Sequence, residues 1–208
     1  MTSFFKQAHT NVHISTHAVL GSNMRDEAGA GQEVIYLAAG CFWGVEKALW
    51  NAPGVMTTAT GYMGGDSPNP TYEQVCSHST GHAETVRVIF DTALTSAADL
   101  VHLFFEIHDP TQVGGQGNDI GDQYRSAIWT TTPEQLRDAT ALRAAYQEVL
   151  TERGFGPIQT AISPAPDGDS TARFWYAEDY HQQYLFKNPG GYECHARTGV
   201  ACPALPRE

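Results

Sequence analysis

Strand-like and helix-like segments follow one another in this chain in the order β-α-β-β-α-β, which constrains the fold more than any other feature. Residues 84–91 (ETVRVIFD) alternate apolar and polar side chains, which is typical of a strand with one buried face. The other segments of this order are expected at residues 33–39, 42–50, 55–63, 96–107 and 124–131. The order is that of a split βαβ unit, so we expect an α+β sandwich of the ferredoxin-like type.

Glycine and proline divide the remainder of the chain into further elements. Thr132 and Pro133 favour the start of a helix that runs to residue 153. A short strand is expected at 157–163 and a helix at 174–187. The domain organisation predicted from these patterns is an N-terminal extension at residues 1–30, one folded domain at 31–189 and a mobile coil tail at 190–208.

The charge balance excludes several classes of partner. The 208 residues carry a formal net charge of −11, which repels phosphate groups, so we expect neither nucleic acid nor a membrane surface as a partner. No apolar run is long enough to span a bilayer, and the N-terminus lacks the apolar segment of a secretion signal. Four cysteines in such a chain favour redox, metal or catalytic roles in a reducing compartment. We expect a cytoplasmic monomer.

Cys41 stands between a predicted buried strand and the first turn of a predicted helix, in the sequence GCFWG at 40–44. Backbone N–H groups and the helix dipole favour negative charge at a helix N-terminus. A thiol there is expected to have a lowered pKa and to act as a nucleophile. The alternative is a small buried cysteine without chemistry, which is a common fate for a single cysteine.

Glu84 has the same parity as the apolar side chains of its predicted strand, so it is expected to point into the core. Burial would raise the pKa of this carboxyl and leave a protonated acid at neutral pH. Alternatively, Glu84 precedes the strand and is solvated. Tyr72 and Tyr124 could supply neutral hydroxyl donors, or they could simply pack.

Several motifs together resemble the peptide methionine sulfoxide reductase A (MsrA) family. These motifs are GCFWG at 40–44, GYMGG at 61–65, NPTYEQVC at 69–76, TGHAE at 80–84, HDPTQ at 108–112, QGNDIGDQYRSAI at 116–128 and HQQYL at 181–185. The resemblance extends from about residue 33 to 203. It implies reduction of the S epimer of methionine sulfoxide, free or in proteins, without a cofactor or metal.

The resemblance also implies the roles of individual residues. Cys41 would attack the sulfoxide sulfur and become a sulfenic acid, while Glu84 and the hydroxyls of Tyr72 and Tyr124 would hydrogen-bond and protonate the oxygen. Phe42 and Trp43 would form the apolar wall that receives the S-methyl group. The residues implied to orient the substrate main chain are Asp119 and His181.

The two tail cysteines would resolve the sulfenic acid. Cys194 is expected to form a disulfide with Cys41, and Cys202 to pass the disulfide to thioredoxin, the reductant that the resemblance implies. Glu193 separates Cys194 from the preceding Gly-Tyr pair, whereas many relatives place the cysteine directly after it. Cys76 has no implied role, and we expect it to be a buried structural thiol.

Two other functions are compatible with parts of the sequence. In a cysteine hydrolase, Cys41 would be activated by a histidine such as His82, and the tail cysteines would be idle. In a zinc-stapled binding module, cysteines and histidines would bind the metal, although the C-x₂₋₄-C spacing of structural zinc sites is missing from the sequence.

Overall fold

The structure, a computed structural model, describes residues 16–77 and 80–205. Residues 1–15 of the predicted N-terminal extension and residues 206–208 of the predicted tail lie outside the described residues. The helices are α1 (Phe42–Trp50), α2 (Tyr72–Cys76), α3 (Ala97–Glu106), α4 (Pro133–Glu152) and α5 (Tyr184–Lys187). The strands are β1 (Gln32–Ala39), β2 (Val55–Met63), β3 (Ala83–Asp91), β4 (Gly115–Gln116), β5 (Asp119–Ile120), β6 (Ser126–Thr130), β7 (Ala161–Pro164) and β8 (Trp175–Tyr176).

Six strands form one sheet in the order β7-β6-β1-β3-β2-β8, and β4 and β5 form a separate hairpin. Strand β3 is antiparallel to both of its neighbours, β1 and β2, and the pair β6 and β7 is parallel. Together with the helices, this sheet confirms the predicted α+β class. In the register of β2 and β3, Tyr62 lies opposite Glu84.

The main core lies between one face of the sheet and the helices. Val86, Val88 and Phe90 of β3 are buried on this face, as their alternation predicted. Phe104 from α3 and Tyr146 from α4 pack into the same cluster. Glu84 belongs to the same row of side chains, so its carboxyl is placed in the layer between the sheet and the helices.

The region 174–187, predicted to be a helix, is mostly irregular, so this prediction was wrong. Trp175 and Tyr176 instead pair with β2, and only residues Tyr184–Lys187 form a single helical turn. Gln183 has a left-handed backbone conformation with φ +47°, which no right-handed helix accommodates. Its conformation is fixed by hydrogen bonds to a residue far away in sequence, described below.

The tail from residue 192 to 205 forms neither helix nor strand, but it packs against the folded domain. The Tyr146 hydroxyl donates a hydrogen bond to the carbonyl of Val200 over 2.7 Å. The backbone N–H of Cys202 donates to Glu106 Oε1 over 3.2 Å. Any movement of the tail must therefore break these contacts. Within the described ranges, no helix is sufficiently long and apolar to cross a membrane.

Candidate active site

Cys41 is the N-cap residue of α1, two residues after the end of β1. Gly40 makes this turn with φ +92°, and a Cβ atom there would lie 2.7 Å from the side chain of Gln116. Only glycine accommodates both the backbone conformation and this close approach. The predicted position of Cys41 at a helix N-terminus is thus confirmed, and the thiol is free and 8% exposed.

The predicted lowering of the Cys41 pKa is wrong. Burial raises the pKa of the Cys41 thiol far above its ordinary value, and the negative charge of Glu84 raises it further. A hydrogen bond with the backbone of Trp43 acts in the opposite direction but is the weaker influence. The helix N-terminus does not compensate for removal of the thiolate from water, so Cys41 is a neutral thiol in this structure.

Glu84 is buried as predicted, with 2% of its surface exposed. The backbone N–H of Phe42 donates to Glu84 Oε2 over 3.0 Å, which places the carboxyl against the first turn of α1. Burial raises the pKa of Glu84 to about 8, although the hydrogen bond from Phe42 opposes the rise. Most Glu84 side chains therefore carry a proton at pH 7, beside the helix turn that begins at Cys41.

An aromatic cluster surrounds the ring of His181. The ring centroid of His181 lies 5.0 Å from that of Phe42 and 4.5 Å from that of Tyr72. The indole N–H of Trp43 donates to His181 Nδ1 over 3.0 Å, so a neutral His181 ring carries its proton on Nε2. Burial lowers the pKa of His181 to about 4, which keeps the ring neutral.

His181 Nε2 is buried and has no hydrogen-bond partner among the described residues. Glu178 Oε2 lies 4.0 Å away, beyond hydrogen-bonding distance. A buried N–H donor without a partner is costly, and such groups are concentrated at functional sites. This N–H is therefore an unpaired donor inside the aromatic cluster.

Tyr72, Tyr124 and Asp119 come together around Cys41 and Glu84. Burial raises the pKa of both tyrosine hydroxyls, so both are neutral. The hydrogen bond with Cys76 raises the pKa of Tyr72 further, and the charge of Glu84 raises that of Tyr124. The charge of Asp119 acts on both Cys41 and Glu84. Tyr72 begins α2, whereas Tyr124 ends a turn of 3-10 helix (Asp122–Tyr124) rather than starting a strand as predicted.

Two polar residues of this site were not predicted from the sequence. Glu178 accepts hydrogen bonds from the Tyr62 hydroxyl over 2.8 Å and from the backbone N–H of Tyr72 over 2.9 Å. The Tyr192 hydroxyl donates to Asp119 Oδ2 over 3.0 Å. The only sequence signal for Glu178 was its position three residues before His181, and Tyr192 had none because the tail lacks periodicity.

Of the two tail cysteines, only Cys194 lies at the site. Cys41 and Cys194 line one cavity of about 200 Å³, together with Lys47 and Glu193. Lys47 Nζ and Glu193 Oε2 form an ion pair at 2.7 Å, and Cys194 Sγ lies 3.6 Å from the carbonyl oxygen of Gln116.

Cys202 is 5% exposed and packs into the main core, where burial raises the pKa of its thiol to about 12. His102 Nε2 lies 2.7 Å from the Cys202 carbonyl oxygen, which further fixes this part of the tail.

Comparison with known proteins identifies the family to which this site belongs. The model of a family described as peptide methionine sulfoxide reductase matches residues 33–205. The chain belongs to the peptide methionine sulfoxide reductase family. A relative from Rhodospirillum centenum, named peptide methionine sulfoxide reductase MsrA, is 54% identical over 187 residues, which cover 90% of this chain and 83% of the relative.

Solved structures of the same family have this fold. Methionine sulfoxide reductase A of Corynebacterium diphtheriae is 44% identical, with a TM-score of 0.80, over 92% of this chain and 90% of that one. Mxr1 from Saccharomyces cerevisiae in its reduced form is 32% identical, with a TM-score of 0.72, over 83% of this chain and 94% of Mxr1. Mxr1 has also been solved in a complex with Trx2. Membership of this family makes the chain a methionine sulfoxide reductase, an oxidoreductase, as the motifs implied.

The surroundings of His82 and of the cysteines disfavour both a cysteine hydrolase and a zinc-stapled binding module. His82 Nδ1 accepts the N–H of Gly65 over 3.1 Å and His82 Nε2 lies 2.8 Å from the carbonyl oxygen of Ser67, so both ring nitrogens are occupied away from Cys41. The part of the chain that the structure describes contains no group of three or more histidine, cysteine or acidic residues placed to hold a metal. Cys76 is partly exposed and hydrogen-bonded to the Tyr72 hydroxyl, which corrects the expectation of a buried thiol.

Proposed function

We propose that the chain reduces methionine (S)-sulfoxide, free or in proteins, to methionine, with Cys41 as the nucleophile and Glu84 as the acid. One observation carries this proposal: a buried carboxyl whose pKa is raised to about 8 lies against the helix turn that begins at a buried cysteine. Sulfoxide oxygen becomes a leaving group only when it is protonated. A protonated carboxyl beside a sulfur nucleophile meets that requirement at neutral pH.

In the proposed step one oxygen atom passes from the sulfoxide to Cys41. The Cys41 sulfur attacks the sulfoxide sulfur while Glu84 donates its proton to the oxygen and receives the proton of the thiol. The oxygen then passes to Cys41, so Cys41 is oxidised by two electrons to the sulfenic acid and the substrate is reduced to methionine. The high pKa of the Cys41 thiol makes removal of its proton during the attack necessary, because no resident thiolate is available.

The surrounding residues would bind and orient the substrate. Phe42 and Trp43, in contact with the His181 ring, offer an apolar wall for the S-methyl group. The unpaired Nε2–H of His181 and the carboxylate of Asp119 are suited to a carbonyl and an amide of the substrate main chain. Tyr124 is a neutral hydroxyl donor for the oxygen as its charge increases, and Tyr72 becomes one when its hydroxyl turns from Cys76 to the substrate.

Resolution would follow the order Cys41, Cys194, Cys202. The cavity that Cys41 and Cys194 share supports attack of Cys194 on the Cys41 sulfenic acid. Cys202 is buried, so it would react with the resulting disulfide only after the tail contacts break. Thioredoxin would then reduce the tail disulfide, in line with the complex of the yeast relative Mxr1 with Trx2. In this scheme residues 31–189 are the catalytic domain of a cytoplasmic monomer, residues 190–208 carry both resolving cysteines and residues 1–30 precede the domain.

Turnover of the separated sulfoxide epimers tests the proposed function. The parent chain should release methionine from the S epimer with dithiothreitol, and also with thioredoxin, thioredoxin reductase and NADPH. The R epimer should remain unchanged, because each epimer needs its own enzyme. Equal consumption of both epimers, or of neither, would reject the proposal.

The ion pair between Lys47 and Glu193 yields a prediction about resolution. Lys47→Glu should slow formation of the Cys41–Cys194 disulfide by about two- to fivefold, because a partly exposed pair contributes at most about 1 kcal/mol. Adding Glu193→Lys should restore the rate by reversing the pair. The measurement is rapid quenching after one equivalent of sulfoxide, followed by mass spectrometry of the unreduced digest.

The matched control for this pair is Glu148→Gln, which removes an exposed carboxylate from α4. It should leave the rate of disulfide formation at the parent value. Raising the salt concentration should reduce the difference between Lys47→Glu and the parent, since salt screens exposed charges. Failure of the double variant to recover would show that the ion pair does not position Cys194.

A further inference from the structure

Four buried polar side chains that the proposed reaction does not use form a connected chain behind α1. They belong to His17, Thr58, Glu46 and Gln183, and each is at most 1% exposed. We call this chain the Glu46 brace. Its members come from four separate segments of the sequence, so only the folded structure brings them together.

The hydrogen bonds of the brace have a defined direction. His17 Nδ1 accepts the backbone N–H groups of Val19 and Leu20, so its proton is on Nε2. His17 Nε2 therefore donates to Thr58 Oγ1 over 2.8 Å, and Thr58 Oγ1 donates to Glu46 Oε1 over 3.0 Å. Burial lowers the pKa of His17 to about 4, which keeps it neutral. The single hydroxyl proton of Thr58 is thereby committed to Glu46.

Gln183 occupies the other side of the Glu46 carboxyl. The backbone N–H of Gln183 donates to Glu46 Oε2 and its side-chain Nε2 donates to Glu46 Oε1, both over 2.8 Å. Gln183 has φ +47°, a conformation that residues other than glycine adopt only when their surroundings impose it. Two hydrogen bonds to one carboxyl supply that constraint.

Only a carboxylate accepts all these donors together. Glu46 receives three hydrogen bonds on two oxygens and forms no ion pair with Lys or Arg in residues 16–77 and 80–205. Burial raises the pKa of Glu46 to about 7, with the three donors opposing the rise. Packing alone would be served by an apolar side chain, which costs no desolvation. A carboxyl at position 46 is explained if its hydrogen bonds fix the conformation of the residues that donate to it.

The brace lies next to the residues that form the apolar wall for the S-methyl group, Phe42 and Trp43. Glu46 lies one helical turn after Phe42 and Trp43 on α1, and Gln183 follows His181 by two residues. His181 contacts Phe42 and accepts the indole N–H of Trp43. The brace therefore connects the two chain segments whose side chains form the apolar wall beside Cys41.

We propose that Glu46 is a positioning residue for sulfoxide reduction, acting through Gln183 to hold His181 against Phe42 and Trp43. His17 completes the brace from a segment that precedes the family match at residues 33–205, so this segment contributes to the active site without touching the substrate. This inference rests on the proposed function, because it concerns the binding of the sulfoxide.

Thr58→Val tests the brace with little change in shape. It removes the hydroxyl that joins His17 to Glu46, whereas Thr60→Val removes a buried hydroxyl on the same face of β2 that has no partner among the described residues. We expect Thr58→Val to lower kcat/KM for methionine (S)-sulfoxide about tenfold, mostly through KM, because slight misplacement of binding groups is costly. Thr60→Val should stay within about twofold of the parent, because it breaks no hydrogen bond.

A second readout does not depend on turnover. The indole N–H resonance of Trp43, assigned by its loss in Trp43→Phe, should shift in Thr58→Val and in Glu46→Gln, because the hydrogen bond to His181 loosens. It should keep the parent position in Thr60→Val. Thr58→Ser retains the hydroxyl, so its Trp43 resonance and its KM should match those of the parent.

These readouts separate the brace from a purely structural role and from the proposed function. If Thr58→Val lowers the unfolding temperature but leaves KM and the Trp43 resonance as in Thr60→Val, the brace is structural only and the proposal is overturned. If the parent does not reduce the sulfoxide, the proposed function fails, yet a Trp43 shift specific to Thr58→Val would still show that the brace positions His181. No shift in Thr58→Val overturns the positioning role in either case.

Discussion

Replacing Cys41 with serine is expected to abolish reduction of methionine sulfoxide with every reductant. A hydroxyl cannot accept the oxygen as a sulfenic acid, and the buried environment that already disfavours a thiolate disfavours an alkoxide more strongly. Loss of a covalent nucleophile commonly lowers kcat by about a million-fold. The measurement is methionine release from the S epimer with dithiothreitol, which does not require the tail cysteines.

Cys76→Ser is the matched control, since it makes the same substitution at a second free thiol of the chain. Serine retains a hydroxyl that can pair with Tyr72, so we expect turnover close to the parent value. Retention of as much as a tenth of the parent activity by Cys41→Ser would remove Cys41 from the proposed role.

Replacing Glu84 with glutamine is expected to have the next largest effect. Gln keeps the shape of the side chain and can accept the hydrogen bond from Phe42, but it has no proton to transfer. General acid catalysis contributes about 10²–10⁴-fold, so the single-turnover rate should fall by that range while sulfoxide affinity stays near the parent value. The parent rate should decline above about pH 8, as Glu84 loses its proton, whereas the variant should lack this step. A variant as fast as the parent across pH 6–9 would exclude Glu84 as the acid.

The same substitution should change how stability depends on pH. The pKa of Glu84 is about 8 in the folded chain and near 4.5 when unfolded, so burial favours the protonated form. Its contribution to stability is therefore fully present below pH 4.5 and is lost as pH rises through 8. At pH 9 we expect Glu84→Gln to be more stable than the parent, with a difference on the order of a few kcal/mol. Chemical denaturation at pH 5 and pH 9 measures it, and equal pH dependence of both proteins would contradict the raised pKa.

Local patterns predicted the two central residues of this site. The position of Cys41 follows from a strand, a glycine and a helix in succession, and the burial of Glu84 follows from alternation along β3. Both signals reside within about ten residues of sequence. The α+β class could be predicted for the same reason, because each long element carries its own periodicity.

The features that were not predicted from the sequence depend on contacts between distant segments. The hydrogen bond between Tyr72 and Glu178 joins residues 106 positions apart, and that between Gln183 and Glu46 joins residues 137 apart. The latter interaction holds Gln183 in the left-handed conformation that interrupts the predicted helix at 174–187. Local propensity contains no information about a partner so far away.

The pKa of Cys41 illustrates the same limit. The helix N-terminus is a local feature and correctly suggested a stabilising influence on a thiolate. Burial by the surrounding core and the charge of Glu84 are tertiary effects of opposite sign, and they are the larger influences. In the proposed reaction Cys41 is therefore activated when a bound sulfoxide accepts the proton of Glu84, rather than by a resident thiolate.

A single turnover by Cys194→Ser without any reductant tests the role of Cys41 directly. With one equivalent of methionine (S)-sulfoxide, we expect one methionine per chain and one added oxygen on the peptide that contains Cys41, which a sulfenic acid reagent should label. Methionine release without modification of Cys41, or with the oxygen on Cys76 or Cys202 instead, would contradict it.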